Sequence, residues 1–161
     1  MLLCTTDDGH DVSQFIYEAL ASTQLSVAIE NLSDSNAACS VSHCTVFVPI
    51  LTAQLQENAL CRAAFEQARL LDKPIVPVIA VNKWRPRGWL GLIIAGRVFF
   101  RIFDQATAYE PFYDSNRMTD LRVEIEVSKM IPYISRFVVQ TTEILRDRSS
   151  LVVLLACVKY C

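Results

Sequence analysis

The stretch from Cys44 to Val81 constrains the fold more than any other part of this chain. It reads CTVFVPIL, then TAQLQENALCRAAFEQARLLDK, then PIVPVIAV. Each outer segment is a short apolar run rich in Val and Ile with a proline at or near one end, as suits a strand buried on both faces of a parallel sheet. The middle segment has helical periodicity. Leu60, Ala64, Ala68 and Leu71 recur at three- and four-residue intervals, Thr52 stands where an N-cap belongs, and Pro74 forbids continuation. Strand, helix, strand in so short a span is a βαβ unit, which implies parallel strands and a right-handed crossover.

The rest of the chain fits around that unit. Met1 to Thr5 reads as a first strand, followed by a polar turn over Thr6 to His10. Asp11 is expected to cap a helix with Gln14 at the capping-box position, and Val12, Phe15, Ile16, Ala19 and Leu20 form its apolar stripe. Leu25 to Ile29 alternates and ends at Glu30 and Asn31, which predicts a second strand. Asn31 to His43 is a Ser-, Asn- and Ala-rich connection with at most a helical turn or two. After the central unit, Asn82 to Gly88 is a loop by its Pro and Gly content, Trp89 to Ala95 a short apolar element, and Val98 to Phe103 a fifth strand. Tyr109 to Arg117 is another loop. From Thr119 two periods compete: Leu121, Val123, Ile125 and Val127 alternate like a strand, whereas Ile125, Lys129, Met130, Tyr133, Ile134 and Phe137 fit a helix interrupted or kinked at Pro132. The helix is preferred, because repeated βα units normally close their sheet with one. The expected fold is therefore a flavodoxin-like α/β sheet of about five parallel strands flanked by helices. Ligands of such sheets settle beyond the carboxyl ends of the strands, which here brings forward Asp7, Asp8, Thr52 and Trp84 as candidate cofactor-binding residues.

Composition narrows the function classes. With 161 residues the chain is long enough to bury a core without staples, and a formal charge of -2 gives no overall attraction to nucleic acid or an anionic membrane. Six cysteines (Cys4, Cys39, Cys44, Cys61, Cys157 and Cys161) suggest a disulfide set at first. Three of them sit in apolar runs or the helix, so reduced, buried thiols in a cytosolic protein are the expectation. No signal peptide is visible, because Asp7 and Asp8 interrupt the start before an apolar region forms. The apolar run from Leu151 to Val158 falls well short of the roughly 20 residues a spanning helix needs, and Cys161 does not fit a prenylation signal.

Phe47 to Thr52, Cys61 to Ala68 and Lys73 to Val78 resemble three successive motifs of the TIR (Toll/interleukin-1 receptor) domain family: a third strand ending in Leu-Ser, a Trp-Cys-x-x-Glu helix, and a Lys-Pro-Ile-Ile-Pro-Val fourth strand. Trp84 to Leu92 resembles the Trp-x-Pro-x-Gly-Trp-Leu-Gly stretch of many animal-type members, and Val27 to Glu30 stands where the family often has Val-Trp-Leu-Asp. The resemblance implies a TIR-like domain over 1–139 and leaves 140–161 as a C-terminal extension with an apolar end. It also implies homotypic assembly in signalling, with other TIR domains or with itself as partner, and in some members cleavage of NAD by one glutamate of the third helix. That chemistry needs a carboxylate beside the ribose to steady an oxocarbenium-like transition state. The position is occupied by Ala64. Glu66 is the fallback acid, but two helical residues turn a side chain by roughly 200°, and Arg62 and Arg69 are placed to make it an exposed ion-pair partner. The chain also departs from the family at Leu60, where a Trp is usual, and over Asn31 to His43, which lacks the family's Pro-Gly loop.

Three other constellations compete with bland explanations. Cys39, His43 and Cys44 cluster in sequence, but zinc needs a second ligand pair that the chain lacks, so no metal is expected. Asp7 and Asp8 suit the acidic pocket of a response-regulator receiver, yet Leu51-Thr52 stands where a phosphoacceptor Asp would be. Lys83, Arg85 and Arg87, interleaved with Trp84 and Trp89, could receive a phosphate or nucleotide, or could simply be solvated around buried indoles. The reading that results is an interaction domain without efficient NAD cleavage, needing no cofactor, with NAD as a possible ligand. The alternatives are a TIR NAD glycohydrolase or a nucleotide-binding module without turnover.

Overall fold

The computed structural model describes residues 1–21, 23, 25–33, 37–81, 83–102 and 125–139. Its centre is one sheet of five parallel strands in the order β2-β1-β3-β4-β5: β1 Leu2–Thr5, β2 Ala28–Asn31, β3 Phe47–Leu51, β4 Val78–Ile79 and β5 Phe100–Arg101. This is the flavodoxin-like order, in which the chain turns from one side of β1 to the other after β2. The helices are α1 His10–Ala21, α2 Ala53–Glu57, α3 Ala59–Leu70, α4 Gly88–Ile94 and α5, over 125–139. Among the described residues no helix is long and apolar enough to cross a membrane.

Strand alternation divides the core into two layers. Leu2, Cys4, Phe47, Leu51, Ile75 and Ile79 face α3 and α4, together with Leu55, Cys61, Ala64, Phe65 and Ala68. Leu3, Val46, Val48, Ile50, Val76, Val78, Phe100 and Ile102 face the other way, where Val12, Ile16 and Leu20 of α1 and Val127, Met130 and Ile134 of α5 meet them. The stripe predicted for α1 is the one buried. In α5 the helical period prevails over the strand period and continues through Pro132, whose ring faces solvent. The face is rotated from the expected one, so that Val127 is buried and Ile125 is 44% exposed. Leu121, Val123 and the loop at Tyr109 to Arg117 lie outside the described residues, as does the extension over 140–161.

Several local expectations are corrected. Asp11 does not cap α1: a 3-10 turn over Asp7–Gly9 runs straight into the helix, placing Asp11 in its first turn, and Gln14 donates to Glu18 Oε1 at 2.9 Å instead of reaching back. The second strand pairs three residues later than expected, Leu2 with Ala28 through Thr5 with Asn31, because that register brings it alongside all of β1. The alternation at Leu25 to Ile29 does correspond to alternating burial. Val98 and Phe99 are half exposed and precede the pairing of β5; Phe103 lies outside the described residues.

The central helix is also two helices. Asn58 takes an extended conformation, φ -80° and ψ 123°, and its Oδ1 accepts from Leu60 N at 2.8 Å and Cys61 N at 3.2 Å, so it ends α2 and caps α3. Thr52 caps α2 as expected, accepting from Leu55 N at 3.1 Å. The buried stripe of α3 is Cys61, Ala64, Phe65 and Ala68, so Leu71 is 45% exposed rather than part of it. The prolines explain why β4 is so short. Pro49 has no N–H for the β3–β4 seam, which is split into a bridge at Phe47–Ile75 and a ladder at Ile50–Val78 and Leu51–Ile79.

Gly9, the last residue of the 3-10 turn before α1, packs closely against side chains of β1 and β3. A Cβ there would lie 2.8 Å from Thr5 Oγ1 and 3.1 Å from Ile50 Cγ2. A larger residue fits only if these side chains or the turn itself shift.

Candidate functional site

Beyond the carboxyl ends of β1 and β3, a set of short polar side chains ties the two strands together. Thr6 Oγ1 donates to Asp8 Oδ1 at 2.6 Å and Thr52 Oγ1 donates to the same oxygen at 2.8 Å. The two hydroxyl oxygens are 3.2 Å apart, so both protons are already spent on the carboxylate. Asp8 N donates to Gln54 Oε1 at 3.2 Å, and Asn31 Nδ2 donates to Asp7 Oδ1 at 2.6 Å, which brings the end of β2 into the same rim. Asp7, Asp8 and Thr52 are thus brought to one rim, as expected of strand ends, but Asp8 Oδ1 and Thr52 Oγ1 are engaged with each other and Asp7 Oδ1 with Asn31.

Trp84 belongs to a different part of the rim. It packs against the α3-side core, while Lys83, Arg85 and Arg87 line a cavity of about 400 Å³ with it and with Gln56. The loop is latched to α2 through Gln56: its Oε1 accepts from Arg87 N at 2.7 Å, and its backbone O accepts from Trp89 Nε1 at 3.0 Å. Trp89 continues an edge-to-face series from β3 through α3, with Phe47 and Phe65 centroids 5.3 Å apart and Phe65 and Trp89 5.5 Å apart. Both indoles are therefore half-buried anchors of the loop. Asn82 lies outside the described residues.

On α3, Ala64 is 1% exposed and enclosed among Leu2, Cys4, Phe47 and Phe65. Glu66 lies on the outer face, 54% exposed, with its Oε1 3.0 Å from Arg62 Nε. The rotation expected between these two positions is the one found.

Glu30, which the sequence places at the end of the second strand but not among the candidate site residues, has a distinctive environment. The β1–β2 register sets it directly beside Cys4, facing the α3 layer. Burial raises its carboxyl above the usual range, and Oε2 is buried without a hydrogen-bond partner among the described residues. Next to it, a side-chain hydrogen bond that the Cys4 thiol donates to Cys61, together with burial, pushes Cys4 well above its ordinary range. Burial also raises Cys44, whose Sγ donates to Val41 O at 3.3 Å. Cys4, Cys44 and Cys61 are buried free thiols. In sequence Glu30 stands at a strand end and in the resembled Val-Trp-Leu-Asp position, but its place beside Cys4 comes from the strand register. Gln56 carried no sequence signal at all. Among the described residues no group of three His, Cys, Asp or Glu side chains is placed to hold a metal ion.

A second cavity, about 510 Å³, lies at the amino ends of β4 and β5 and is lined by residues including Arg69, Asp72, Lys73, Arg97, Tyr133 and Phe137. Doubly wound sheets bind their ligands at the opposite end. Compared with known proteins, this chain matches no family model and no curated protein.

Proposed function

We propose that this chain is a TIR-type assembly module of cytoplasmic signalling, joining with itself or with other TIR domains and cleaving NAD inefficiently or not at all. The observation that carries the reading is at α3. The residue at the glutamate position of the resembled family is Ala64, enclosed in the core, and the nearest acid on the helix, Glu66, faces solvent in a pair with Arg62. A methyl group cannot stabilise developing positive charge on a ribose, and a solvated carboxylate on the far face has no path to the same point.

The alternative, an NAD glycohydrolase, draws on Glu30. An acid with a raised pKa and an unpartnered buried oxygen is the kind of group that catalytic sites employ. Nicotinamide release from NAD, measured at high protein concentration beside sedimentation over a concentration series, separates the readings. The expected result is no turnover and a mass that rises with concentration. Turnover that disappears in Glu66→Ala or Glu30→Gln would overturn the proposal in favour of the enzyme. A monomer that binds ADP-ribose without cleaving NAD would support a nucleotide-binding module instead.

A further inference from the structure

Although the whole chain carries a net charge of -2, Lys83, Arg85 and Arg87 place three cations at alternate positions of one short loop. Among the described residues the cavity they share with Gln56 and Trp84 is lined by no carboxylate, and no acid pairs with Arg85 or Arg87. The loop is pinned rather than loose. Gln56 holds it at Arg87 N and at the Trp89 indole, Trp84 rests on the core, and Gly91 lets the following helix close on the loop, since a Cβ there would lie 3.1 Å from Pro86 O. Lys83 is held in the left-handed region at φ 56°, a conformation that costs a non-glycine residue free energy. Because Gln56 Oε1 is committed to Arg87 N, its Nε2 is left as a neutral donor, with no partner among the described residues.

We propose that this cavity binds a multiply charged phosphate group, with the Arg85 and Arg87 guanidiniums as paired forks, Lys83 as an added charge and Gln56 Nε2 as a neutral donor. Guanidinium groups match phosphate oxygens bidentately, and an anion relieves the mutual repulsion of cations fixed on one loop. A volume of about 400 Å³ accommodates a phosphate with part of the group that bears it. The site is independent of the assembly reading, because it uses neither Ala64 nor Glu66.

Calorimetric titration of the full chain with inorganic tripolyphosphate, beside flotation with phosphatidylcholine vesicles with and without a phosphatidylinositol bisphosphate, tests this and distinguishes a free phosphate from a lipid headgroup. Binding is expected in at least one arm and should weaken as salt rises. Arg85→Ala with Arg87→Ala should weaken it roughly 10- to 100-fold. Gln56→Glu keeps the acceptor for Arg87 N, so the loop should stay latched, yet it replaces the neutral donor with a negative charge and should weaken binding comparably. Lys129→Ala, a cation on α5, should leave it unchanged. Saturation by tripolyphosphate alone assigns a soluble phosphate; vesicle binding that needs both the bisphosphate lipid and the two arginines assigns a headgroup. Absence of binding in both arms, or affinity unaltered by the double arginine substitution, overturns the proposal.

Discussion

On one side of the sheet, α1 and α5 lay Val12, Ile16, Leu20, Met130 and Ile134 against Leu3, Val48, Ile50 and Val78. On the other, α3 lays Cys61, Ala64, Phe65 and Ala68 against Leu2, Cys4, Phe47 and Leu51. The first layer is mostly aliphatic and makes no demand beyond volume. The second contains three thiols, has Glu30 at its edge, and leads through α2 to the Asp8 rim and the cationic loop. Small side chains on α3 let the helix sit close to the strands, and that closeness encloses Ala64. The comparison teaches that one layer holds the fold while the other carries nearly all of the unusual chemistry.

The harshest way to break this contrast is Ala64→Glu. With Ala64 only 1% exposed, the new carboxyl has neither room nor solvent, and unfolding in denaturant should show a loss of about 4 kcal/mol or more at neutral pH. Burial would raise the introduced carboxyl's pKa above its unfolded value, so the folded state binds more protons there and the loss should deepen as pH rises through that folded pKa. A variant as stable as the native chain would mean that position 64 opens into a solvated cleft, and the case against catalysis would fail with it.

A milder comparison sets Phe65→Ala against Ile16→Ala, one central side chain from each layer. Phe65 joins Phe47 to Trp89 and through it the loop to α2, so its loss should cost about 3–5 kcal/mol, against about 2–5 kcal/mol for Ile16. Intrinsic Trp fluorescence, read beside denaturant unfolding, should change in the native state only for Phe65→Ala. Equal, spectroscopically silent losses would show that the aromatic series does not hold the loop.

Glu30→Gln gives the smallest effect and the sharpest sign. The folded pKa of Glu30 is raised, so the acid is best tolerated below its unfolded pKa and weakens the fold as pH rises through the folded value. Replacement by the neutral isostere should raise neutral-pH stability by no more than about 1 kcal/mol, given its partial exposure, and remove that decline. If thermal melts across acidic and neutral pH gave parallel curves for both proteins, Glu30 would be solvated like any surface acid.

The two layers also differ in how well sequence reported them. The α1 stripe is amphipathic in the simplest way, so its period alone located the aliphatic layer, and Val- and Ile-rich runs located β3 and β4. The α3 side was harder because three of the four residues of its buried stripe are Cys or Ala, small side chains that mark a face less clearly than Leu or Ile, and because one polar residue, Asn58, splits a period that otherwise looks continuous. Asp11 misled for a related reason: a capping pattern is local, whereas the 3-10 turn that displaced it is fixed by Thr6 and Thr52 meeting on Asp8 across two strands. The site suffered most. Glu30 acquires its neighbours from register, and Gln56 its role from a loop about thirty residues away.

Gly9 has a mechanical meaning apart from either layer. It is absent from the residues with positive φ, so glycine is required there for room rather than for backbone torsion. The standoff between α1 and the sheet is set at that end by one missing carbon atom. Since α1 is a rigid rod about 18 Å long, a side chain at position 9 would act as a wedge at its base, and a displacement too small to matter locally would become a tilt along the whole helix, felt most at Leu20.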